Sequence, residues 1–199
     1  MDNLGKATVI RKVGAEAFHS SGKPLGFDLK SFWQWSRSDL LDNTTRGIIA
    51  EYLVDRALGM GEDDVRDIWN PCDIETSSGI RIQVKSAAYI QSWHQNKLSY
   101  ITFNVQSRRG WDSNTNVLSK TVQRHSDVYV FALLAHKIKS TIDPLNVDQW
   151  QFFVLPTEVL NKRKRSQYSI TLKSLEQLCS PVGYYSLKGA IETVVSTEI

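Results

Sequence analysis

The amino-acid sequence predicts an α/β fold, and three patterns carry this prediction. Apart from four charged residues, positions 44–58 are apolar or small and lie between residues that commonly cap a helix. Residues 80–85 alternate between apolar and polar side chains, which is typical of a strand with one buried face. Residues 128–135 form a continuous apolar run, which is typical of a central strand. A helix followed by several strands, one of them fully buried, predicts a layered α/β structure.

The composition indicates a folded, intracellular protein. Hydrophobic residues make up 41% of the 199 residues and aromatic residues 10%, which argues against a disordered chain. The longest apolar run is too short to span a bilayer, and no basic and apolar leader opens the sequence. The two cysteines form neither a disulfide framework nor a zinc site, and Cys72 falls on the apolar side of its strand. We therefore expect a cytoplasmic protein.

The first 42 residues predict an irregular or partly helical lead-in to the fold. This segment contains Trp33 and Trp35, for which packing in the core is favoured over stacking on bases. The predicted helix follows, with Asn43 or Thr44 as its N-cap and Gly59 as its C-cap.

Residues 71–87 predict a β-hairpin whose register follows from side-chain parity. A two-residue loop would pair Ile74 with Arg81 and would mix the buried and exposed faces. A three-residue loop at 77–79 keeps each face uniform and places Gly79 where a positive φ is favoured. Its cross-strand pairs are Ile74 with Ile82, Glu75 with Arg81, and Asp73 with Gln83.

The rest of the chain adds strands and short helices. A third strand is expected near residues 99–105, followed by a polar loop at 106–126 that is long enough to border a cleft. Residues 150–163 predict a strand that runs into a short helix started by Pro156. The last predicted helix covers residues 172–178.

The hairpin register brings Asp73, Gln83 and Lys85 together, and we call these three residues the polar patch. Carboxylate and amide oxygens suit Mg²⁺, and a neighbouring lysine orients water or stabilises charge on a phosphate. The alternative interpretation is a solvated hairpin face with an ion pair between Glu75 and Arg81.

Glu51 is the fourth candidate, because the predicted helix surrounds it with apolar neighbours such as Ile48 and Val54. A carboxylate in that position is costly to bury unless it meets a cation, a donor or a metal. An ordinary ion pair with Arg46 or Lys85 is the other interpretation.

These residues resemble the signature of the PD-(D/E)xK phosphodiesterase superfamily. The segment Pro71-x-Asp73 is followed on the next strand by Gln83-Val84-Lys85, and Glu51 lies on the preceding helix. The resemblance covers roughly residues 43 to 105. Gln83 stands where an acidic residue is commoner, but branches that resemble Mrr-type nucleases have glutamine there.

The resemblance implies a restriction-endonuclease-like core, in which a mixed central β-sheet is flanked by helices. We expect one such domain over residues 1–199, made of a lead-in (1–42), a nuclease core (43–135) and a C-terminal elaboration (136–199).

The activity that the resemblance implies is Mg²⁺-dependent endonucleolytic cleavage of DNA, with Mn²⁺ as a substitute. Asp73, Gln83 and Glu51 would hold the metal, and Lys85 would position the attacking water. A role in restriction or in repair and a homodimeric state are both open. The alternative is a DNA-binding or structural protein that retains the nuclease fold without cleavage.

A net charge of +3 permits nucleic-acid binding without establishing it. Two basic runs are candidates for phosphate contact, although solvated loops are the equally favoured alternative. They are Arg108 with Arg109, and Lys162, Arg163, Lys164 and Arg165. Neither a nucleotide-binding loop nor a histidine set at metal-ligand spacing occurs in the sequence.

Overall fold

The computed structural model describes residues 4–61 and 63–196, which form five α-helices and ten β-strands. The helices are α1 (Leu29–Arg37), α2 (Asn43–Leu58), α3 (Thr157–Lys162), α4 (Leu172–Glu176) and α5 (Leu187–Ser196). The strands are β1 (Ala17–Ser20), β2 (Lys23–Asp28), β3 (Ile74–Glu75), β4 (Arg81–Ala88), β5 (Thr102–Asn104), β6 (Arg108–Asp112), β7 (Val117–Gln123), β8 (Val128–Leu134), β9 (Trp150–Pro156) and β10 (Ser169–Thr171).

The centre of the fold is a mixed four-stranded sheet in the order β3-β4-β8-β9. Strands β4 and β8 are parallel, and the other two pairs are antiparallel. All seven residues of β8 are buried, because both faces of this inner strand are covered. The predicted α/β class, with a mixed sheet flanked by helices, is confirmed.

Each face of the sheet packs against its own hydrophobic cluster. Helices α2 and α5 cover one face through residues such as Val54 and Ile191, and Ile82 and Val84 of β4 point toward them. The small β5–β10 sheet and α4 cover the other face. Because side chains alternate along a strand, Gln83 and Lys85 point toward this second face.

The hairpin has the register that parity predicts. Ile74 pairs with Ile82, and Glu75 pairs with Arg81. Gly79 has a φ of 82°, the conformation expected at the end of a three-residue loop. Strand β3 is only two residues long, but the Asp73 N–H still donates to the Ile82 carbonyl at 3.1 Å.

Helix α2 begins one residue earlier than predicted and is capped differently. Asp42, rather than Asn43 or Thr44, is the N-cap, and its carboxylate accepts from the backbone N–H groups of Thr44 and Thr45 at 3.0 Å. A carboxylate satisfies two free N–H groups and also interacts favourably with the helix dipole. The predicted C-cap, Gly59, is confirmed by its φ of 73°.

Two predictions beyond the central sheet were wrong. Residues 106–126 are not a loop but contain the β6–β7 hairpin. Both of its faces are largely exposed, so its sequence lacks the one-sided apolar alternation that reveals a half-buried strand. The helix near 172–178 is not the last one, since α5 follows it. The strand and helix predicted across 150–163 are confirmed as β9 and α3.

The lead-in contains a hairpin and a helix. Strands β1 and β2 pair around a tight turn at Ser21 and Gly22, and α1 follows. The predicted core packing of two tryptophans was wrong, because Trp33 is 39% and Trp35 85% exposed. None of the described helices has the length and apolar character needed to cross a membrane.

A pair of glycine substitutions tests the hairpin turn. Gly79 and Gly189 both have open space where a Cβ would be added, but only Gly79 has a positive φ. We expect Gly79→Ala to lower the free energy of unfolding by about 1–2 kcal/mol through backbone strain. Gly189→Ala, in the exposed first turn of α5, should raise it by up to about 1 kcal/mol. If the two substitutions change the free energy of unfolding equally in denaturant titrations, the turn does not require the positive φ of Gly79.

Candidate active site

Asp73 and Gln83 are cross-strand neighbours whose side chains touch. One carboxylate oxygen of Asp73, Oδ2, accepts hydrogen bonds from the side-chain amide of Gln83 and from the backbone N–H of Val84, the latter at 2.7 Å. Both contacts follow from the register, which places Asp73 beside the first half of β4. Glu75 and Arg81, whose ion pair belonged to the alternative interpretation of a solvated hairpin face, do not pair, because Arg81 instead pairs with Asp127.

Lys85 projects from the same face of β4 as Gln83 and is partly buried. Burial lowers the pKa of its ammonium group, the charge of Asp73 raises it, and the nearby Arg108 guanidinium lowers it again. Among the described residues, none forms a hydrogen bond or an ion pair with this ammonium. A desolvated cation without a direct partner is suited to an anionic group supplied by a ligand.

Glu51 reaches the site from α2 and is held by Arg66. The guanidinium of Arg66 donates to both carboxylate oxygens, with a distance of 3.0 Å from Nη2 to Oε1. The Glu51 side chain is only 14% exposed. Burial raises the pKa of this carboxyl, the hydrogen bonds from Arg66 oppose that change, and the charge of Asp73 adds to it.

The predicted ion-pair partners of Glu51 do not bind it directly. Arg46 is buried and donates to neutral acceptors, among them Gln91 and the Leu41 carbonyl. Lys85 acts on Glu51 only through its charge. Arg66 was not predicted from the sequence, since it lies in the irregular segment between α2 and β3 and no local pattern connects it with position 51.

A cavity of about 440 Å³ opens beside the carboxylates. Its lining includes Glu51, Arg66, Asp73 and Glu75. Glu51 and Asp73 therefore face one space that is accessible from solvent.

The two predicted basic runs lie in different surroundings. Arg108 is close enough to the site to influence the pKa of Lys85, whereas Arg109 donates to the Ser119 carbonyl across the β6–β7 hairpin. The run from Lys162 to Arg165 is mostly exposed at the end of α3. Within it, Lys162 pairs with Glu158, and Arg163 donates to nearby backbone carbonyls.

The donor set of the site fits a hard divalent cation. No described group of three or more His, Cys, Asp and Glu side chains is arranged to hold a metal. The set here consists instead of two carboxylates and one amide oxygen, from Glu51, Asp73 and Gln83. Such neutral and anionic oxygens are the ligands that Mg²⁺ prefers. The Gln83 amide nitrogen donates to Asp73, which leaves its oxygen free for a cation.

Removing Arg66 tests the electrostatics of Glu51. A carboxyl whose folded-state pKa is raised favours folding below its unfolded pKa, and this stability is lost as the pH rises through the folded pKa. Arg66→Gln removes the guanidinium whose hydrogen bonds and charge lower the pKa of Glu51, so this pKa should rise further. As the pH rises above about 4.3, the ordinary pKa of glutamate, we expect the free energy of unfolding to fall more steeply in this variant than in the wild-type chain.

The measurement is denaturant unfolding across a pH series, with NMR titration of the Glu51 carboxyl. Arg11→Gln is the matched control, because Arg11 pairs with Asp63, which is 92% exposed. If Arg66→Gln leaves the pH dependence of the free energy of unfolding unchanged, the assigned interaction between Arg66 and Glu51 is contradicted.

A comparison with known protein families found a match over most of the chain. The family model of bacteriophage T4 endonuclease IV matches residues 29–174, which is well over half of the chain. The matched region includes Glu51, Asp73, Gln83 and Lys85. No curated protein matches the sequence. From the extent of this match, the chain belongs to the bacteriophage T4 endonuclease IV family, a family of nucleases.

Proposed function

We propose that this protein is a Mg²⁺-dependent endonuclease that hydrolyses phosphodiester bonds of DNA, with a PD-(D/E)xK site of the glutamine-containing type. The observation that supports this most is that Glu51 and Asp73 line one solvent-accessible cavity, while Gln83 donates to Asp73 and the charge of Lys85 acts on both carboxylates. These residues have the chain order of the superfamily signature and lie within the matched nuclease region.

Each group has a separate role in the proposed reaction. A divalent cation held by Asp73, Gln83 and Glu51 would neutralise charge on the phosphate as it is attacked. Lys85 orients the attacking water, which loses a proton as its oxygen bonds to phosphorus. Because burial lowers the pKa of Lys85, its amine exchanges protons closer to neutral pH than a solvated lysine does. As the bond from phosphorus to the sugar oxygen breaks, the departing oxygen takes up a proton from solvent, and the proton that the water loses passes to the neutral Lys85 amine or to solvent.

The basic residues suggest how the substrate backbone lies. Arg108 is placed beside Lys85, so it would contact a phosphate next to the scissile one. The run from Lys162 to Arg165 follows α3, which begins directly after β9, and Pro156 at the end of β9 pairs with Val128. Ile82 near the start of β4 also pairs with Val128, so β9 ends at the same end of the sheet at which β4 begins.

A second candidate is a DNA-binding protein of the same fold without cleavage. It is favoured by the way in which the two carboxylates are already satisfied, Asp73 by Gln83 and Glu51 by Arg66. The two carboxylates also face two cations, Lys85 and Arg66. A site with this charge balance holds a metal weakly until a phosphate adds its own negative charge.

Lys85→Ala separates the roles of the lysine in cleavage and in binding. We expect Mg²⁺-dependent nicking of supercoiled plasmid to fall by about 10²- to 10⁴-fold, the contribution typical of a positioned proton-transfer group. DNA affinity should change little, because one charge among many phosphate contacts matters little. Lys173→Ala, an exposed lysine on α4, is the control and should leave both unchanged. Equal loss of nicking and affinity would show that Lys85 only binds the backbone.

Gln83→Glu tests the metal and distinguishes the two candidates. The added carboxylate should tighten Mg²⁺ binding in calorimetry and preserve or raise nicking, whereas the wild-type chain without DNA should bind only weakly. Gln177→Glu adds the same charge outside the site and serves as the control. Tighter binding without nicking in either form would favour the non-cleaving candidate. Tight binding by the wild-type chain would contradict the ligand assignment.

A further inference from the structure

A second cavity adjoins the proposed active site. Its volume is about 760 Å³, and it lies between the segment that precedes β3 and the β6–β7 hairpin. Asp67 and Asn70 line both this cavity and the one that contains Glu51 and Asp73, so the two cavities are neighbours. Its volume is within the range of about 300–1,000 Å³ that is usual for small-molecule sites. We call it the tryptophan cleft, because Trp69 and Trp111 line it.

Two tryptophans on different segments face each other in this cleft. The ring centroids of Trp69 and Trp111 are 5.3 Å apart, and the rings meet edge to face at 69°. Trp69 is 54% exposed although it contacts another aromatic ring. The Trp111 indole N–H donates to Asn116 at 3.1 Å, which holds that ring in place. An exposed indole that packs against a half-buried, hydrogen-bonded one offers flat apolar surface on which another flat ring can stack.

Polar groups surround these aromatic surfaces. The oxygen of the Asn70 side chain accepts from the Cys72 backbone N–H at 3.3 Å, and its amide nitrogen remains available. Gln123 also lines the cleft, and its side-chain amide bonds to no residue that the structure describes. Lys6 brings a cation to the same cavity through its ion pair with Asp67 at 2.7 Å. Amides present a donor and an acceptor side by side, as recognition of a base edge requires.

We propose that the tryptophan cleft binds a nucleobase that has left the base stack, next to the phosphate at the active site. This inference rests on the proposed function, since it takes DNA as the substrate. A base within a duplex has both faces covered by its neighbours, so only an unstacked base can place its face against Trp69 or Trp111. Lys6 lines the cavity, and Arg108 lies on β6, the strand that carries Trp111; these are the cations that the phosphates of such a nucleotide would contact.

The test compares two DNA duplexes that differ by a single base. One carries an unpaired thymine, and the other has an abasic unit at the same position. Affinities are measured by fluorescence anisotropy in EDTA, so that no strand is cut. Stacking of a base on an aromatic ring contributes about 1–3 kcal/mol, so the wild-type chain should prefer the thymine duplex by about 5- to 150-fold.

Variants then assign that preference to the cleft. Trp69→Ala and Trp111→Ala should bring the ratio of the two affinities close to one, and Trp111→Phe, which keeps an aromatic ring, should retain most of it. Trp35→Ala removes an exposed tryptophan of α1 that does not contact Trp69 or Trp111, and it should leave the ratio unchanged. Thermal unfolding of each variant verifies that it is folded.

The outcomes separate this inference from the proposed function. If the wild-type chain binds both duplexes equally, or if the alanine variants keep the full preference, the cleft does not hold a base. Binding to DNA and Mg²⁺-dependent nicking would then still support the proposed nuclease. If the wild-type chain binds neither duplex, the inference and the proposed function are both overturned.

Discussion

The pairing of β3 with β4 positions every group of the polar patch. Ile74 and Ile82 are buried as a pair, so a slip by one residue would turn both into solvent. The same slip would separate the Asp73 carboxylate from Gln83 and from the Val84 N–H. The remaining parts of the site, Glu51 with its Arg66 partner and Arg108 on β6, are arranged around this hairpin. A local turn of small polar residues therefore controls the geometry of the candidate chemistry.

The site is arranged at the expense of local stability. Burial favours the neutral forms of both Glu51 and Lys85. Their charged forms therefore destabilise the folded state at neutral pH. Arg66 offsets part of this effect for Glu51, whereas Lys85 has no comparable partner among the described residues. Opposed pKa shifts on two groups that interact through their charges are common at functional sites and support the proposed one.

The sequence predicts features that depend on local periodicity. Alternation in β4, the continuous apolar run of β8 and the glycines at positions 59 and 79 each follow from near neighbours in the chain. Arg66 could not be predicted as the partner of Glu51, because their contact depends on the path of an irregular segment. The β6–β7 hairpin was missed because solvent covers both of its faces. Trp33 was predicted to be buried but is exposed, because an aromatic side chain is buried only where other elements pack over it.

The parallel pairing of β4 with β8 has a consequence for how the protein folds. Ile74 meets Ile82 across a short turn, whereas Ile82 meets Val128 only after the chain has closed a much longer loop. Contacts of low sequence separation form quickly, and distant parallel pairings form slowly. The hairpin with Asp73 and Gln83 is therefore expected to form before the strand that supports it from the other side. Until β8 docks, a nascent chain presents the edge of β4 unprotected, and in that interval pairing with a second chain competes with completion of the sheet.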